Sequence, residues 1–318
     1  MRAFKLRKVP PVFKSILKKI APVASLVAKR SGLVAGRNSL LSANGFVPPG
    51  HFYSPIVSIK EARRDAHRIF AKVPREIAGI DLNEEKQLAT LLAFEEIYPS
   101  IDFPARKSDT HRYYYENSAY SYSDAITLNC MMRHIRPKQV IEVGSGFSSC
   151  AMLDTSERHL DSSVSFTFIE PYPDLLKSLL RKNDLDSVNL IAARLQDVPI
   201  EVFTRLNRND ILFVDSTHVS KTGSDVNFLL FEILPMLKSG VYIHIHDIFY
   251  PFEYPSDWIF GGRSWNEIYI LRAFLQFNDQ FSIEMMNTFL ELFHQQRFAS
   301  RMPLCLKNTG GSIWLRKH

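Results

Sequence analysis

The chain has little cysteine: Cys130, Cys150 and Cys305 are the only three in 318 residues. They lie far apart and form no C-x-x-C pair, which argues against a disulfide framework or a thiolate zinc site and fits a reducing compartment. Long apolar runs are missing too. The longest near the start, Ile20 to Ala28, is too short to cross a bilayer and follows too long a basic segment for an ordinary secretory signal. Acid is absent from the first 60 residues, which hold eleven Lys or Arg before the first carboxylate at Glu61. That leaves 28 of the 39 basic residues against all 33 acids, so the body is mildly acidic and the net charge of +6 belongs to the tail. A nucleic-acid partner is therefore not indicated by overall charge. No internal repeat or low-complexity segment is present, and a content of 46% hydrophobic and 23% charged residues is that of an ordinary soluble protein.

Residues 1–50 read as a basic amphipathic tail. Phe13, Ile16, Leu17, Ile20, Val23 and Val27 recur at helical spacing, with Lys14, Lys18 and Lys19 between them and Pro22 interrupting. Such a segment suits peripheral contact of residues 1–30 with an anionic membrane surface, on the inner face for a cytoplasmic protein. A solvated tail, a helix docked on the body and a cleaved organelle-targeting peptide fit the same pattern. Pro48-Pro49-Gly50 marks a boundary. Residues 51–120 then read as a helical cap. Ser58 and Glu61 form a capping box opening a helix to about Phe70, and a second helix covers Asn83 to Ile97 with Leu88, Leu91, Leu92 and Phe94 as its apolar face.

The third region, 121–318, opens on a helix from Ser123 to Ile135 and then alternates short apolar runs with helices. Strands are expected at Gln139–Val143, Val164–Ile169, Ser187–Ala192, Asp210–Asp215 and Gly240–His246, with helices at Ser148–Arg158 and Pro173–Arg181 between them. A helix at Trp265–Phe277 precedes two last strands, Ser282–Met286 and Ser312–Leu315, the latter expected to run antiparallel and close the sheet. This order means an α/β fold: a Rossmann-like, seven-stranded, mostly parallel sheet with helices on both faces.

Chemistry-bearing residues cluster at the strand ends. Gly144 and Gly146, between the first strand and its helix, permit a tight turn and close approach of a ligand to the backbone. A dinucleotide fingerprint would place a third glycine where this chain has Ser149. Glu170 ends the next strand, 26 residues after Gly144, where an acid accepts ribose hydroxyls. Gln196 and Asp197 follow the third strand, within reach of an adenine. Asp215 and Asp247 end the fourth and fifth. His218 and His246 are candidate bases, because imidazole titrates near neutrality. His244 shares a strand face with His246 but lies deeper, as a core residue would. His51 and Tyr53 suit a lid, while Tyr113-Tyr-Tyr-Glu116 and the long loop with Glu253, Tyr254, Arg263 and Trp265 suit an acceptor pocket.

Glu142-Val-Gly-Ser-Gly146, Glu170, Gln196-Asp197 and Asp215 stand in the order found in class I S-adenosylmethionine (SAM)-dependent methyltransferases, which the chain resembles. Gly50-His-Phe-Tyr-Ser-Pro55, the run from Gly144 to Ser149, Phe213 to His218 and His246 to Phe249 make it similar, over about residues 50–290, to a bacterial subgroup acting on small molecules. The resemblance implies SAM as cofactor. Its methionine end would lie by the loop of Glu142, Gly144, Ser145, Gly146, Phe147 and Ser148, its ribose on Glu170, and its adenine by Gln196 and Asp197. Asp215 would face the methyl donor. Catechol-type relatives hold magnesium from the positions of Asp215 and Asp247, followed by a further oxygen ligand; here Ile248 follows, so magnesium, a softer metal with His218 or His246, and no metal all stay open. The reaction expected is O-methylation of a small-molecule, sugar or lipid-linked acceptor, with Asp215, His218, His246 and Asp247 at the reaction centre. An NAD-linked oxidoreductase and a membrane-surface binding protein with a vestigial pocket are the alternatives.

Overall fold

The computed structural model describes residues 46–71 and 73–318. The reading of the basic tail falls mostly on residues outside that range. The chain divides into two compact units, Met1–Arg64 and Asp65–His318.

In the described part of the first unit, Gly50 turns the chain at φ +79°, and the rings of His51, Phe52 and Tyr53 cluster with His51 and Phe52 stacked at 4.4 Å. Ser58 Oγ accepts the Glu61 amide at 3.3 Å, as the capping motif predicts. The helix it opens, Ile59–Arg64, stops short of the expected Phe70. Asp65, at φ −96° and ψ 9°, leaves helical geometry, and only a short turn, Ala66–Ile69, follows.

The second unit is built on seven strands: β1 (Gln139–Val143), β2 (Ser165–Ile169), β3 (Asn189–Ile191), β4 (Ile211–Val214), β5 (Tyr242–His246), β6 (Phe281–Met286) and β7 (Ser312–Lys317). Their order is β3-β2-β1-β4-β5-β7-β6. Pairings from β3 through β5 are parallel, and β7 runs antiparallel to both neighbours. The strand expected to close the sheet is thus antiparallel but internal, with β6 at the edge. Burial explains the exchange: Ile313, Trp314 and Leu315 are all fully buried, so β7 needs cover on both sides.

Helices α1 (Glu84–Ile97), α2 (Tyr122–Ile135), α3 (Phe147–His159), α4 (Asp174–Leu179), α5 (Glu267–Leu275), α6 (Asn287–Phe293) and α7 (Gln295–Arg301) flank the sheet, with shorter helical turns between them. On α1 the buried side chains are Gln87, Thr90, Leu91 and Phe94, whereas Leu92, expected to face inward, is exposed. Gln87 is buried because its amide has two partners, donating to Leu82 O at 2.5 Å and accepting the Met286 amide at 2.8 Å. That bond fastens α1 to the end of edge strand β6. Among the described residues, no helix is long and apolar enough to cross a membrane.

Sheet order reverses between β1 and β4, and open α/β sheets bind ligands in the crevice at such a point, beyond the carboxyl ends of the strands.

Candidate active site

Gly144 leaves β1 at φ +80°, and a Cβ there would lie 1.8 Å from the Asp215 carbonyl oxygen. Two bonds draw the strand ends together at this point: Gly144 N to Ile169 O at 3.0 Å, and Asp215 N to Val143 O at 2.8 Å. Below the loop, the fully buried Glu142 accepts hydroxyls from Ser148, at 2.6 Å, and Ser149. Burial drives its carboxyl up to about 8, against the lowering effect of those hydroxyls, so it is largely protonated at neutral pH. Ser149 Oγ also takes the Gly146 amide at 3.0 Å, and Glu170 takes the amides of Ser145 at 3.3 Å and Tyr172 at 2.8 Å.

Two cavities meet around this loop, sharing Gly144, Glu170 and Asp215. The larger, about 470 Å³, is walled by Tyr172, Leu195, Gln196, Thr217 and Asp225 among others. The smaller, about 190 Å³, is walled by Tyr120, Ser145, Gly146, Phe147 and Ser148. The Ser145 hydroxyl is buried without a partner.

Asp215 joins these cavities to a buried cluster. His218 Nε2 lies 3.3 Å from Asp215 Oδ1 and 3.6 Å from Asp247 Oδ2, and its Nδ1 is 2.9 Å from Glu267 Oε2 on α5. Burial by itself would lower His218, but Asp215 and Glu267 push it up to about 10. His246, 5% exposed, is also raised despite burial, by the charges of Asp215, Asp124 and Asp247. Burial works to raise Asp215, and the charges of His246 and His218 outweigh it and hold it below the usual range. Next to these, His244 stacks on Phe213 at 4.0 Å, and burial holds it well below its usual range as a neutral core side chain.

A methyltransferase-domain family model matches residues 141–248, the stretch that contains Gly144, Glu170, Asp215 and Asp247. An uncharacterized protein of Archaeoglobus fulgidus is 35% identical over 181 residues, covering 55% of this chain and 80% of that protein. The chain belongs to the class I SAM-dependent methyltransferases. Similar solved structures include the SAH-bound methyltransferase PaMTH1 of Podospora anserina, 16% identical with a TM-score of 0.41, covering 86% of this chain and 99% of that one. The O-methyltransferase TomG of Streptomyces achromogenes, in complex with SAM, is 12% identical with a TM-score of 0.39, covering 80% and 96%.

Within this methyltransferase the structure brings Gly144, Ser145, Gly146, Phe147, Ser148, Glu170, Gln196 and Asp215 to the walls of the two cavities. Two residues expected to touch the cofactor do not line either one. Glu142 is enclosed beneath the loop it braces, and Asp197 turns away to Arg194, bonding it at 2.7 and 2.9 Å. Gln196 remains on the wall with its amide nitrogen committed to Gly223 O at 2.7 Å. His218 comes to Asp215 and Asp247 through Nε2, at 3.3 and 3.6 Å, while its Nδ1 lies 2.9 Å from Glu267. The candidate magnesium pair, Asp215 and Asp247, comes together at Nε2 of the His218 imidazole. Among the described residues, no three His, Cys, Asp or Glu side chains are arranged to hold a metal ion, and an imidazole lies against both Asp215 and Asp247.

Sequence reasoning missed Asp124 and Glu267. Asp124, in the first turn of α2, is buried with its carboxyl raised to about 6 by burial. It accepts the Gly311 amide at 3.2 Å, and a Cβ on Gly310 would lie 2.2 Å from its Oδ2. The adjacent glycines at 310 and 311 were the available signal for a close approach. Tyr113 and Tyr115 pack in the core, while Tyr114 rests edge-on against Phe147. Arg263 lies over Trp258 at 4.1 Å, and Trp265 packs on His218 at 4.4 Å.

Proposed function

We propose that this methyltransferase transfers the methyl group of SAM to an oxygen of a small-molecule acceptor, such as a sugar or a lipid-linked intermediate. The observation that carries the choice of cofactor is the fate of the loop amides. A pyrophosphate is held by free N–H groups at this helix start, yet here Ser149 Oγ takes the Gly146 amide and Glu170 takes that of Ser145. The walls instead offer Glu170, Asp215 and Asp225, with Arg194 neutralised by Asp197 and Lys221 at the rim. Such walls suit a cationic sulfonium. When bound, SAM supplies an electrophilic methyl group.

The rest falls to the protein. Gly144 lets the ligand lie against the backbone, Glu170 receives the ribose hydroxyls, and Gln196 borders the adenine. We assign removal of the acceptor proton to His246, which sits among Asp215, Asp124 and Asp247 as routes for that proton. It rests against Tyr120, a wall of the smaller cavity, at a ring distance of 5.1 Å. We assign acceptor recognition to the loop on which Arg263 lies over Trp258 and Trp265, at 4.1 and 5.3 Å.

Thermal shift with SAH and with NAD tests the cofactor. SAH is expected to stabilise the protein, and stabilisation by NAD alone would reverse the assignment. In Glu170→Ala, loss of bonds to a charged acceptor worth about 1.5–3 kcal/mol should weaken SAH binding by ~10- to 150-fold, with the melting temperature of the free protein near that of wild type. We further propose that residues 1–30 hold the protein at the cytoplasmic face of an anionic membrane, the basic amphipathic pattern being the support. Phosphatidylserine vesicles should co-sediment the full chain and leave a chain lacking residues 1–40 in the supernatant; equal sedimentation of both sinks this part.

A further inference from the structure

We infer that Arg263 reads an oxyanion on the acceptor, a carboxylate or a phosphate carried near the hydroxyl that is methylated. That the anion belongs to a methyl acceptor rests on the methyl-transfer reading; the anion site itself rests on the loop after β5. In that loop the Arg263 guanidinium lies over the half-buried rings of Trp258, at 4.1 Å, and Trp265, at 5.3 Å. The two rings meet at 88° with centroids 5.5 Å apart, so they form a corner for the cation. Trp265 also packs on the His218 ring at 4.4 Å, and His218 Nε2 lies 3.3 Å from Asp215, a wall of both cavities. The guanidinium thus stands one tryptophan away from the reaction centre.

The loop is folded to place it there. The short helix Ser256–Phe260 carries Trp258 and ends at Gly261. Gly262 then turns the chain at φ +94°, a conformation that L side chains rarely adopt. The Arg263 amide bonds the Trp258 carbonyl at 3.0 Å, which brings residue 263 back onto that helix. Trp258 is held edge-on against Phe249 at 5.1 Å, and Trp265 against the buried Tyr254 at 6.1 Å.

Aromatic faces attract a guanidinium through its charge and use none of its N–H donors. Among the described residues, the contacts of the Arg263 guanidinium are with these two indoles. Arg194, on the wall of the larger cavity, differs: it spends two donors on Asp197. Next to Arg263, the Ser264 hydroxyl is shielded from solvent and has no partner. The wall of the larger cavity carries Glu170, Asp215 and Asp225 and suits a cation, so a negative group on the acceptor is turned toward Arg263. A planar fork of donors matches two oxygens of a carboxylate or a phosphate. Water satisfies those donors until the acceptor displaces it.

Inorganic phosphate and acetate are the probes, titrated at constant ionic strength into the full-length chain with and without SAH. NMR of the arginine Nε–Hε groups reads binding, and Arg263→Gln identifies the Arg263 signal. Arg316, which lies over the Tyr242 ring on the strands of the sheet, is the internal control for an arginine on an aromatic face. The Arg263 signal should saturate with at least one anion at ~10-fold lower concentration than Arg316, or about 1.4 kcal/mol. Saturation by phosphate alone assigns a phosphate-bearing acceptor, by acetate alone a carboxylate, and by both the shared oxyanion site. Tryptophan fluorescence should change in step, since Trp258 and Trp265 flank the site and the third tryptophan, Trp314, is fully buried in β7. Arg263→Lys should bind the same anion at least ~10-fold more weakly, for want of the planar fork. An Arg263 signal that responds no more readily than Arg316 overturns the inference, as does an unchanged fluorescence response in Arg263→Gln. Thermal stabilisation by SAH on the same samples reports separately on the cofactor. Anion binding without it sinks the methyl-transfer reading and leaves the anion site, and the reverse result removes the anion site alone.

Discussion

Replacing Gly144 with alanine is expected to abolish cofactor binding and to destabilise the fold, whereas the same change at Gly146 should leave the fold intact. Both glycines belong to one short motif, and the sequence gives no reason to separate them. The backbone does. Gly144 sits at φ +80°, where an alanine is strained by about 1–3 kcal/mol. Its Cβ would lie 1.8 Å from the Asp215 carbonyl oxygen, a backbone atom that cannot rotate aside. Relief requires the β1 loop and the end of β4 to separate, and those two segments form the shared wall of both cavities. Gly146 has an extended φ of −175°, and a Cβ there would meet only Leu175 Cδ2 at 3.5 Å, an ordinary contact. SAH affinity in Gly144→Ala should therefore fall by more than ~100-fold, which is about 2.7 kcal/mol. Its melting temperature should fall by several degrees, given ~2–4 °C per kcal/mol for a domain of this size. Calorimetric titration with SAH and a thermal melt of both variants check this. A Gly144→Ala protein that binds SAH as wild type does would mean the loop moves far more freely than its bonds imply. Any SAH loss in a well-folded Gly146→Ala would report on ligand approach alone.

The legible part of the molecule was what local pattern determines. Strands β1, β2, β4 and β5 read as apolar runs because a parallel sheet covered on both faces buries every position. Gly144, Glu170 and Asp215 followed from their places at strand ends. The order of β6 and β7 was not legible, since either apolar strand could lie at the edge and only tertiary burial of Trp314 and its neighbours decides. The surroundings of His218 were not legible for a related reason. Three residues from Asp215 it looks like a free base, but its second nitrogen is claimed by Glu267, 49 residues further along. Asp124 was passed over because an acid in a first helical turn normally faces solvent and complements the helix dipole. Burial against Gly310 and Gly311 makes this one different. Asp197 erred in the opposite direction: the helical turn at Leu195–Asp197 directs it to Arg194, outside the cavity.

Arg112→Met should be the most damaging single change outside the site, at about 3–5 kcal/mol, because it strips a largely buried charge network of the cation that bonds all three of its carboxylates. The Arg112 guanidinium bonds Asp184 twice, at 2.7 Å each, Asp154 at 2.8 Å and Glu157 at 2.6 Å. Its side chain is 8% exposed, and those of Asp154 and Asp184 are 1% and 9% exposed. These contacts fasten the segment before α2 to α3 and to the turn that precedes β3. Removing the arginine leaves Asp154 with only the amides of Arg112 and Tyr113, at 2.8 and 2.9 Å. It leaves Asp184 with the Arg181 amide at 2.6 Å. Methionine restores volume but no charge. Acid should narrow the gap between variant and wild type. Burial works to raise Asp184 and Glu157, and bonds from Arg112 outweigh it and hold both below the usual carboxylate range. A depressed folded pKa contributes stability that is present above the unfolded value and is lost as pH falls through the folded one. Urea unfolding at neutral pH should therefore show the full deficit, and the same measurement near pH 3 a smaller one. A deficit that is constant across that range would mean Arg112 acts through packing of its stem rather than through the three carboxylates.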